Sequence, residues 1–454
     1  MREVISDRYR CPEQFAGAPL AAPTSAEDSY FRFGRDLACY GRSCSGASAA
    51  SSDQHLSDLL AEVRRGQPDV QLPFDLTQLV DNLTHERYLT RSNGSFQRRG
   101  PNPLLARLYY ALRRFLPAPL RLPIQRTYFR GWDKITFPAW PLDVGVERLL
   151  EKALLLSMKS RGIDAVPFIW FWPDGASSAA ILTHDVETEQ GREFCPRLME
   201  IDESFGFRSA FQIVPEGRYR VTAAFLGDIR GRGHEINVHD LNHDGNLFRD
   251  RRLFLKRVKA VNEYGRRWGA KGFRSAILYR DLDWYDELEF EYDMSVPNVG
   301  NLEAQRGGCC TVFPYFVGEI LELPLTTTQD YSLFYILREQ RIDLWKTQAA
   351  GILEKHGLLS FITHPDYLLD RRAQSLYRNL LDFLSELGSE RKTWIALPKE
   401  VNEWWRQRSK MNLVPEGNGW RIEGPGKERA RLAYARLDGD ELVYVPDTVA
   451  AVAS

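Results

Sequence analysis

Apolar residues follow two different patterns along this chain. Residues 1 to about 60 alternate aromatic and polar with little period, and the Ser/Ala/Gly-rich run Cys44–Asp53 reads as a loop. Leu56–Val63 suits a short helix, and Leu72–Arg87 carries helical spacing at Leu76, Leu79, Val80 and Leu83. Pro103–Leu116 has an amphipathic helical stripe of Leu105, Leu108, Leu112 and Phe115, and Val144–Ser160 reads as a strong helix. From Ala179 short β-like runs alternate with helical segments. Strands are expected at Ala180–Val186, Ala210–Val214, Glu235–Val238, Phe273–Ser275, Tyr292–Val296, Ile320–Leu325, Leu358–Thr363 and Thr393–Leu397. Between them come helices at Pro196–Phe205, Thr222–Arg230, Leu247–Trp268, Asp283–Leu288, Leu333–His356, Ser375–Leu387 and Lys399–Ser409. After Arg408 the helical pattern stops, and Gly419–Ile422, Ala430–Ala435 and Leu442–Val445 read as short strands between Gly/Asp turns.

Repeated β-α alternation implies a largely parallel sheet, and this many units implies a closed or nearly closed barrel. The expected organisation is a mostly helical accessory region over 1–140, an α/β barrel over 141–410 and a small β appendage over 411–454.

Composition narrows this little. Hydrophobic residues are 43% and charged residues 27%, as in an ordinary soluble globular protein, and a net charge of −1 gives no sign of a nucleic-acid partner. No uncharged apolar run approaches the ~18 residues of a membrane span. The N-terminus lacks the apolar core of a secretory signal, and six scattered cysteines form no C-x-x-C pair, so a cytoplasmic location is expected. Charge clusters in one place: Phe96–Lys134 holds nine Arg/Lys against the single acid Asp133. Two readings stay open there, a docked helix with solvated arginines and an interfacial helix meeting an anionic membrane or a phosphate-bearing substrate.

Candidate chemistry falls at the expected C-terminal ends of the strands, where α/β barrels place their sites. The first offers Thr183-His184-Asp185-Val186-Glu187. The third runs through Gly233-His234-Glu235-Ile236 to His239 and His243. Arg274, Asp293 and His364 end three more. Two imidazoles four residues apart can converge on one metal ion, from a helical face or from a tight turn. A zincin-type helix is disfavoured, because Asn242, Asp244, Gly245 and Asn246 suit a loop. Asp185 and Glu187, two apart on a strand, point to one side. Trp284, Tyr285, Tyr315, Phe316 and Tyr331 lie near strand ends, where aromatic faces could stack on sugar rings or belong to the core.

Over roughly Ala179–Arg408 the sequence resembles the polysaccharide deacetylase family. The family motif G-H-E-I-x-x-H-[ST]-x-x-H is similar to Gly233–His243, with Asp240 at the Ser/Thr position. T-F-D-D-G is matched by Thr183-His184-Asp185-Val186, the arginine motif by Arg274 (with Ala276 where proline is usual), and L-x-H by Ile362-Thr363-His364. The resemblance implies a distorted (β/α)7 barrel and a metal-dependent hydrolase that removes acetyl groups from an N-acetylated sugar or glycan precursor. It implies Asp185 as general base, His364 as general acid, and Arg274 orienting Asp185. Asp293 is a candidate to tune His364. Val186 replaces the usual second aspartate, so Glu187 is the expected third metal ligand with His239 and His243. Zn²⁺ is the ion the ligand types favour. If Glu187 did not reach the metal, a glycan-binding relative without activity would be expected. A related C–N hydrolase of small amides is the remaining alternative.

Overall fold

The computed structural model describes residues 4–447 apart from 18, 48, 67–69, 90, 93–94, 97–126 and 128. The expected amphipathic helix Pro103–Leu116 lies outside the described residues. Among the described residues no helix is long and apolar enough to cross a membrane. The chain forms two compact units, one of Leu89–Asp143 with Ala179–Asn402 and one of Met1–Tyr88, Val144–Ser178 and Glu403–Ser454.

The first of these units holds the candidate chemistry. Its strands are β1 (Ser178–Val186), β2 (Ala210–Ile213), β3 (Glu235–His239), β4 (Gly272–Arg274), β5 (Tyr292–Asp293), β6 (Tyr315–Val317), β7 (Ile320–Glu322), β8 (Leu358–Thr363) and β9 (Thr393–Ala396). The main path of the sheet runs β6-β7-β5-β4-β3-β2-β1-β8, with β9 also pairing β1. Every pairing from β7 to β8 along that path is parallel, and β6–β7 is antiparallel. Every residue of β1, β2, β3 and β8 is buried, as expected of parallel strands covered on both faces. The helices are α1 (Glu189–Ser204), α2 (Ala223–Gly231), α3 (Arg251–Trp268), α4 (Asp343–Glu354) and α5 (Arg371–Arg391). Thr188, Thr222, Asp250 and Asp370 cap four of them through their side chains.

The sheet curls into a distorted (β/α) barrel that its ladders leave open between β7 and β8. Threonine side chains span the gap. Ser360 N donates to Thr326 Oγ1 at 2.9 Å, Thr326 Oγ1 donates to Leu358 O at 2.7 Å, and Thr327 Oγ1 donates to Ser360 O at 2.8 Å. A barrel without a final ladder thereby keeps its strand ends facing one opening.

Several expected elements differ in detail. The helix expected over Leu333–His356 is broken. A π-turn at Ser332–Ile336 ends near Arg338, which takes a left-handed φ of 62°, and α4 begins only at Asp343. The run Arg338-Glu339-Gln340-Arg341 offers no apolar side chain to hold a turn against the sheet. The helix expected from Leu247 starts at Arg251, after its Asp250 cap, and Asp283–Leu288 forms 3-10 turns at Leu282–Glu287.

In the second unit the helix Gly145–Arg161 ends on left-handed Gly162. Strands Gly419–Glu423, Leu432–Asp438 and Glu441–Pro446 match the expected C-terminal strands, and Asn412–Glu416 adds a partner for the first. Leu432–Asp438 also pairs with Ala165–Ile169, a strand the sequence pattern did not reveal. Residues 4–88 contain the helices Val4–Tyr9 and Leu76–Thr84 beside the strand pair Ser29–Arg32 and Ala38–Gly41. Arg408, 2% exposed, ties the Ala165–Ile169 segment down by donating to the carbonyls of Ile169 (2.7 Å) and Trp170 (2.9 Å).

Candidate active site

His239 is the last residue of β3, and the chain then turns sharply. Asp240 and His243 take left-handed φ values of 56° and 55°. Such a loop brings back a second imidazole four residues on without a helix, and the two ring centroids lie 4.8 Å apart. Gly245 takes a left-handed φ of 69°, a conformation that favours glycine. Two arginines brace the loop. Arg257 of α3 makes two 2.7 Å bonds to the Asp244 carboxylate. Arg218, in the loop after β2, donates to the His243 carbonyl at 2.5 Å, and the same guanidinium nitrogen lies 3.1 Å from His243 Nδ1.

Glu187, just beyond β1, completes a cluster. One ligand atom each from Glu187, His239 and His243 lies within 4.8 Å of the others. Glu187 Oε1 is 2.8 Å from His243 Nε2 and 3.9 Å from His239 Nε2. Neither Nε2 is aligned for a hydrogen bond, and both are buried without a hydrogen-bond partner. His239 Nδ1 lies 3.1 Å from the Arg274 carbonyl, which can only accept. The proton of a neutral His239 therefore sits on Nδ1 and its Nε2 lone pair faces the cluster. Two inward imidazole nitrogens and one carboxylate suit a divalent ion such as Zn²⁺ with coordination positions left open. Glu187 Oε1 lies among the Nε2 atoms of His243, His364 and His239, at 2.8, 3.5 and 3.9 Å. Burial pushes its carboxyl up, but His243, His239 and His364 outweigh burial and hold it well below the usual range.

Two further pairs flank the cluster. On one side Arg274, 0% exposed, donates from Nη1 to Asp185 Oδ1 at 2.6 Å and to Thr183 Oγ1 at 2.9 Å, and from Nε to the Met294 carbonyl at 2.9 Å. Asp185 Oδ2 is 3.6 Å from His239 Nε2. Burial raises the Asp185 carboxyl, yet Arg274, then His239 and His364, bring it below its ordinary value. On the other side His364, at the end of β8, is gripped by Asp330. Its Nδ1 meets Asp330 Oδ1 at 2.7 Å, and its backbone N–H donates to Asp330 Oδ2 at 2.7 Å. Its Nε2 stands 3.5 Å from Glu187 Oε1. Burial disfavours the imidazolium, but the Asp330 charge and hydrogen bond, with Glu187, hold it well above its ordinary pKa. An ionised carboxylate and a protonated imidazole thus face one cluster of metal-ligand type.

Six of the seven residues singled out from sequence therefore meet: Asp185, Glu187, His239, His243, Arg274 and His364. Asp293 does not join them. It accepts from Tyr285 Oη (2.9 Å), Ser295 N (2.9 Å) and Ser295 Oγ (2.7 Å), and Ser295 Oγ in turn accepts from Ser275 N at 2.9 Å. Its place is below Arg274, fixing the end of β4, and the partner of His364 is Asp330. A sequence signal for Asp330 existed: Thr328-Gln329-Asp330-Tyr331 follows β7 as the other motifs follow their strands. Among the aromatics, Trp284 and Tyr285 are buried in the core, while Tyr331 is half-buried near His364. His184 faces away from the cluster, towards Asp202 of α1.

No family model matches the chain, and no curated protein does. Solved structures similar to it include a Mycobacterium smegmatis protein assigned as a polysaccharide deacetylase, at 20% identity and TM-score 0.43 over 52% of this chain and 93% of that one. Another is Puue allantoinase, at 13% identity and TM-score 0.38 over 52% and 92%. A third is peptidoglycan deacetylase PdaC from Bacillus subtilis, at 10% identity and TM-score 0.34 over 52% and 95%. At these values the chemistry of the site rests on the residues of this chain.

Proposed function

We propose that this protein is a divalent-metal-dependent hydrolase that removes the acetyl group from an N-acetylated sugar or glycan precursor. One observation carries the reading: Glu187, His239 and His243 converge between a carboxylate held ionised and an imidazole held protonated. Amide hydrolysis needs a base for the attacking water and an acid for the leaving nitrogen, and it needs both at once. Asp185, fixed by Arg274, accepts the proton from water. His364, fixed by Asp330, gives a proton to the departing nitrogen. Glu187, His239 and His243 would hold the metal, which when bound supplies Lewis-acid polarisation and a more acidic water. An amine leaves only once protonated, so the acid–base pair supports an amide substrate, and the sugar is read from the sequence resemblance and the tyrosines near His364.

The test is acetate release from N-acetylglucosamine oligomers by the purified protein, with its metal content measured alongside. Release that is abolished by a chelator and restored by added Zn²⁺ is expected. Metal-loaded protein that frees no acetate from any N-acetylated sugar oligomer would rule the reading out.

A further inference from the structure

The acid side of the site depends on a carboxylate that no ladder holds. Asp330 lies well past the end of β7 at Glu322, and among the described residues none of 326–332 pairs in a sheet. Asp330 nevertheless meets His364 with both oxygens, at 2.7 Å from Nδ1 and at 2.7 Å from the backbone N–H. Its segment is fixed by side chains. Thr326 and Thr327 tie the start of it to β8. Thr328 is held from α4: its N–H donates to Gln348 Oε1 at 3.0 Å, its hydroxyl accepts from Gln348 Nε2 at 3.1 Å, and its carbonyl accepts from Trp345 Nε1 at 2.5 Å. Asp330 itself is two residues further on.

The next tie comes from another part of the barrel. Glu303 is buried, and no lysine or arginine pairs with it among the described residues. Its carboxyl accepts instead from Gln329 Nε2 at 2.6 Å, on the residue before Asp330. Next to Glu303, the Leu302 carbonyl accepts more weakly from Ser332 Oγ, at 3.5 Å. Contacts from loop 300–307 thus bracket Asp330 on both sides. The loop is itself closed. Gly300 N donates to the Gly307 carbonyl at 2.6 Å, and a Cβ on Gly300 would stand 2.9 Å from that oxygen. Gln305 clasps the backbone of Arg280, beyond β4, accepting from its N–H and donating to its carbonyl, each at 3.1 Å. Glu303 therefore stands on a pinned loop and reaches the segment that grips His364.

A carboxylate orients an imidazole only while its own backbone stays in place, and small misplacements made far from the reacting atoms are expensive in rate. We infer that Glu303 is a positioning residue for the general acid: it acts through Gln329 to hold Asp330, and through Asp330 it holds the ring of His364. The chain of contacts runs Glu303, Gln329, Asp330, His364, with 2.6 Å at its first hydrogen bond and 2.7 Å at its last. The inference rests on the deacetylase reading for what His364 does. The chain itself rests on the hydrogen bonds alone.

Acetate release from N-acetylglucosamine oligomers by the metal-loaded protein tests the order of the chain. Glu303→Ala and Gln329→Ala should each lower kcat roughly tenfold at unchanged metal content, with KM held within about twofold. The double variant should be no slower than the slower single, because both changes cut one link, whereas independent residues would multiply their losses. Glu303→Gln, whose amide oxygen accepts the same hydrogen bond, should recover most of the rate. A multiplied loss in the double variant, a loss carried in KM, an unchanged kcat in Gln329→Ala or a Glu303→Gln variant as slow as Glu303→Ala overturns the inference. Gln329 is half-buried, so Gln329→Ala keeps the test decisive if Glu303→Ala does not fold. A second readout needs no turnover. The proton between His364 Nδ1 and Asp330 gives a downfield NMR line, assigned by its loss in His364→Ala. That line should persist in wild type and Glu303→Gln and broaden in Gln329→Ala. A line unchanged in Gln329→Ala overturns the positioning role, whether or not acetate is released. Absence of acetate release from the wild type sinks the deacetylase reading separately.

Discussion

The two faces of the β1–β8 pair each carry a buried histidine–aspartate couple, one residue apart in the ladder. His364 and Asp330 meet at 2.7 Å, and His184 and Asp202 at 3.0 Å. Thr363 is the register partner of His184, so the couples are neighbours on adjacent strands that point to opposite sides. Their surroundings separate them. His184 has both nitrogens engaged, Nδ1 by Thr363 Oγ1 at 2.7 Å and Nε2 by Asp202. Asp202 is itself filled by Ser209 Oγ and Tyr377 Oη, each at 2.6 Å. His364 has Asp330 on Nδ1 only, and its Nε2 faces Glu187 and the metal-ligand cluster. A histidine–carboxylate pair becomes chemistry when one ring nitrogen remains for a reacting partner. When both are satisfied by the protein it is a tie between sheet and helix.

Variants that treat the two faces alike should give opposite results. The largest effect belongs to the cluster itself. His239→Ala should lose bound metal and acetate release together, with the far-UV spectrum unchanged; full activity in that variant would remove His239 from the site. Next, His364→Ala should keep its metal and its melting temperature but lose ~10²- to 10⁴-fold in rate, the usual range for a general acid or base. Metal loss in this variant would make His364 a ligand and not an acid. The counterpart on the outer face, His184→Ala, should do the reverse. It strands Asp202 in the sheet–helix layer and should cost about 3 kcal/mol in denaturant unfolding, while folded protein keeps kcat within a few-fold. A His184 variant as inactive as the His364 variant, at wild-type stability, would erase the distinction between the faces.

This contrast also marks what could be read from the sequence. The alternation of buried runs and helical segments revealed most strands of the barrel, because parallel strands need continuous apolar stretches. Strand ends then gave Asp185, Glu187, His239, His243, Arg274 and His364 together, since a barrel gathers its strand ends at one opening. Asp330 was missed because it lies five residues beyond the expected strand end at Leu325, after a Thr326–Thr327 extension that reaches β8 through side chains and not through a ladder. Asp293 looked equivalent to the others, but it closes on Ser295 and Tyr285 within its own strand end, a matter of side-chain direction that spacing does not encode. The strand Ala165–Ile169 was passed over for a related reason, as its partner lies more than two hundred and sixty residues away in Leu432–Asp438.

The smallest effect is the most specific to the acid side of the comparison. Asp330→Asn keeps the size of the side chain and can still accept the backbone N–H of His364 through its amide oxygen. It removes the negative charge that, with Glu187, keeps the buried imidazole protonated. A general acid works in its protonated form, so a raised pKa extends activity to higher pH, and rate is lost as pH rises through that value. Removing the charge lowers the pKa and must move the alkaline limb of the kcat profile down, towards or below the ordinary value of about 6.5. Below the new limb the variant should retain rate to within about tenfold, because the proton is still present and only its orientation has loosened. Asp202→Asn, on the outer face, should leave the limb where it is. A purely structural role for Asp330 predicts something else, a fall in rate by the same factor at every pH. An unmoved limb in Asp330→Asn would therefore show that His364 is not the acid whose titration limits the reaction, and would leave the two couples alike in kind.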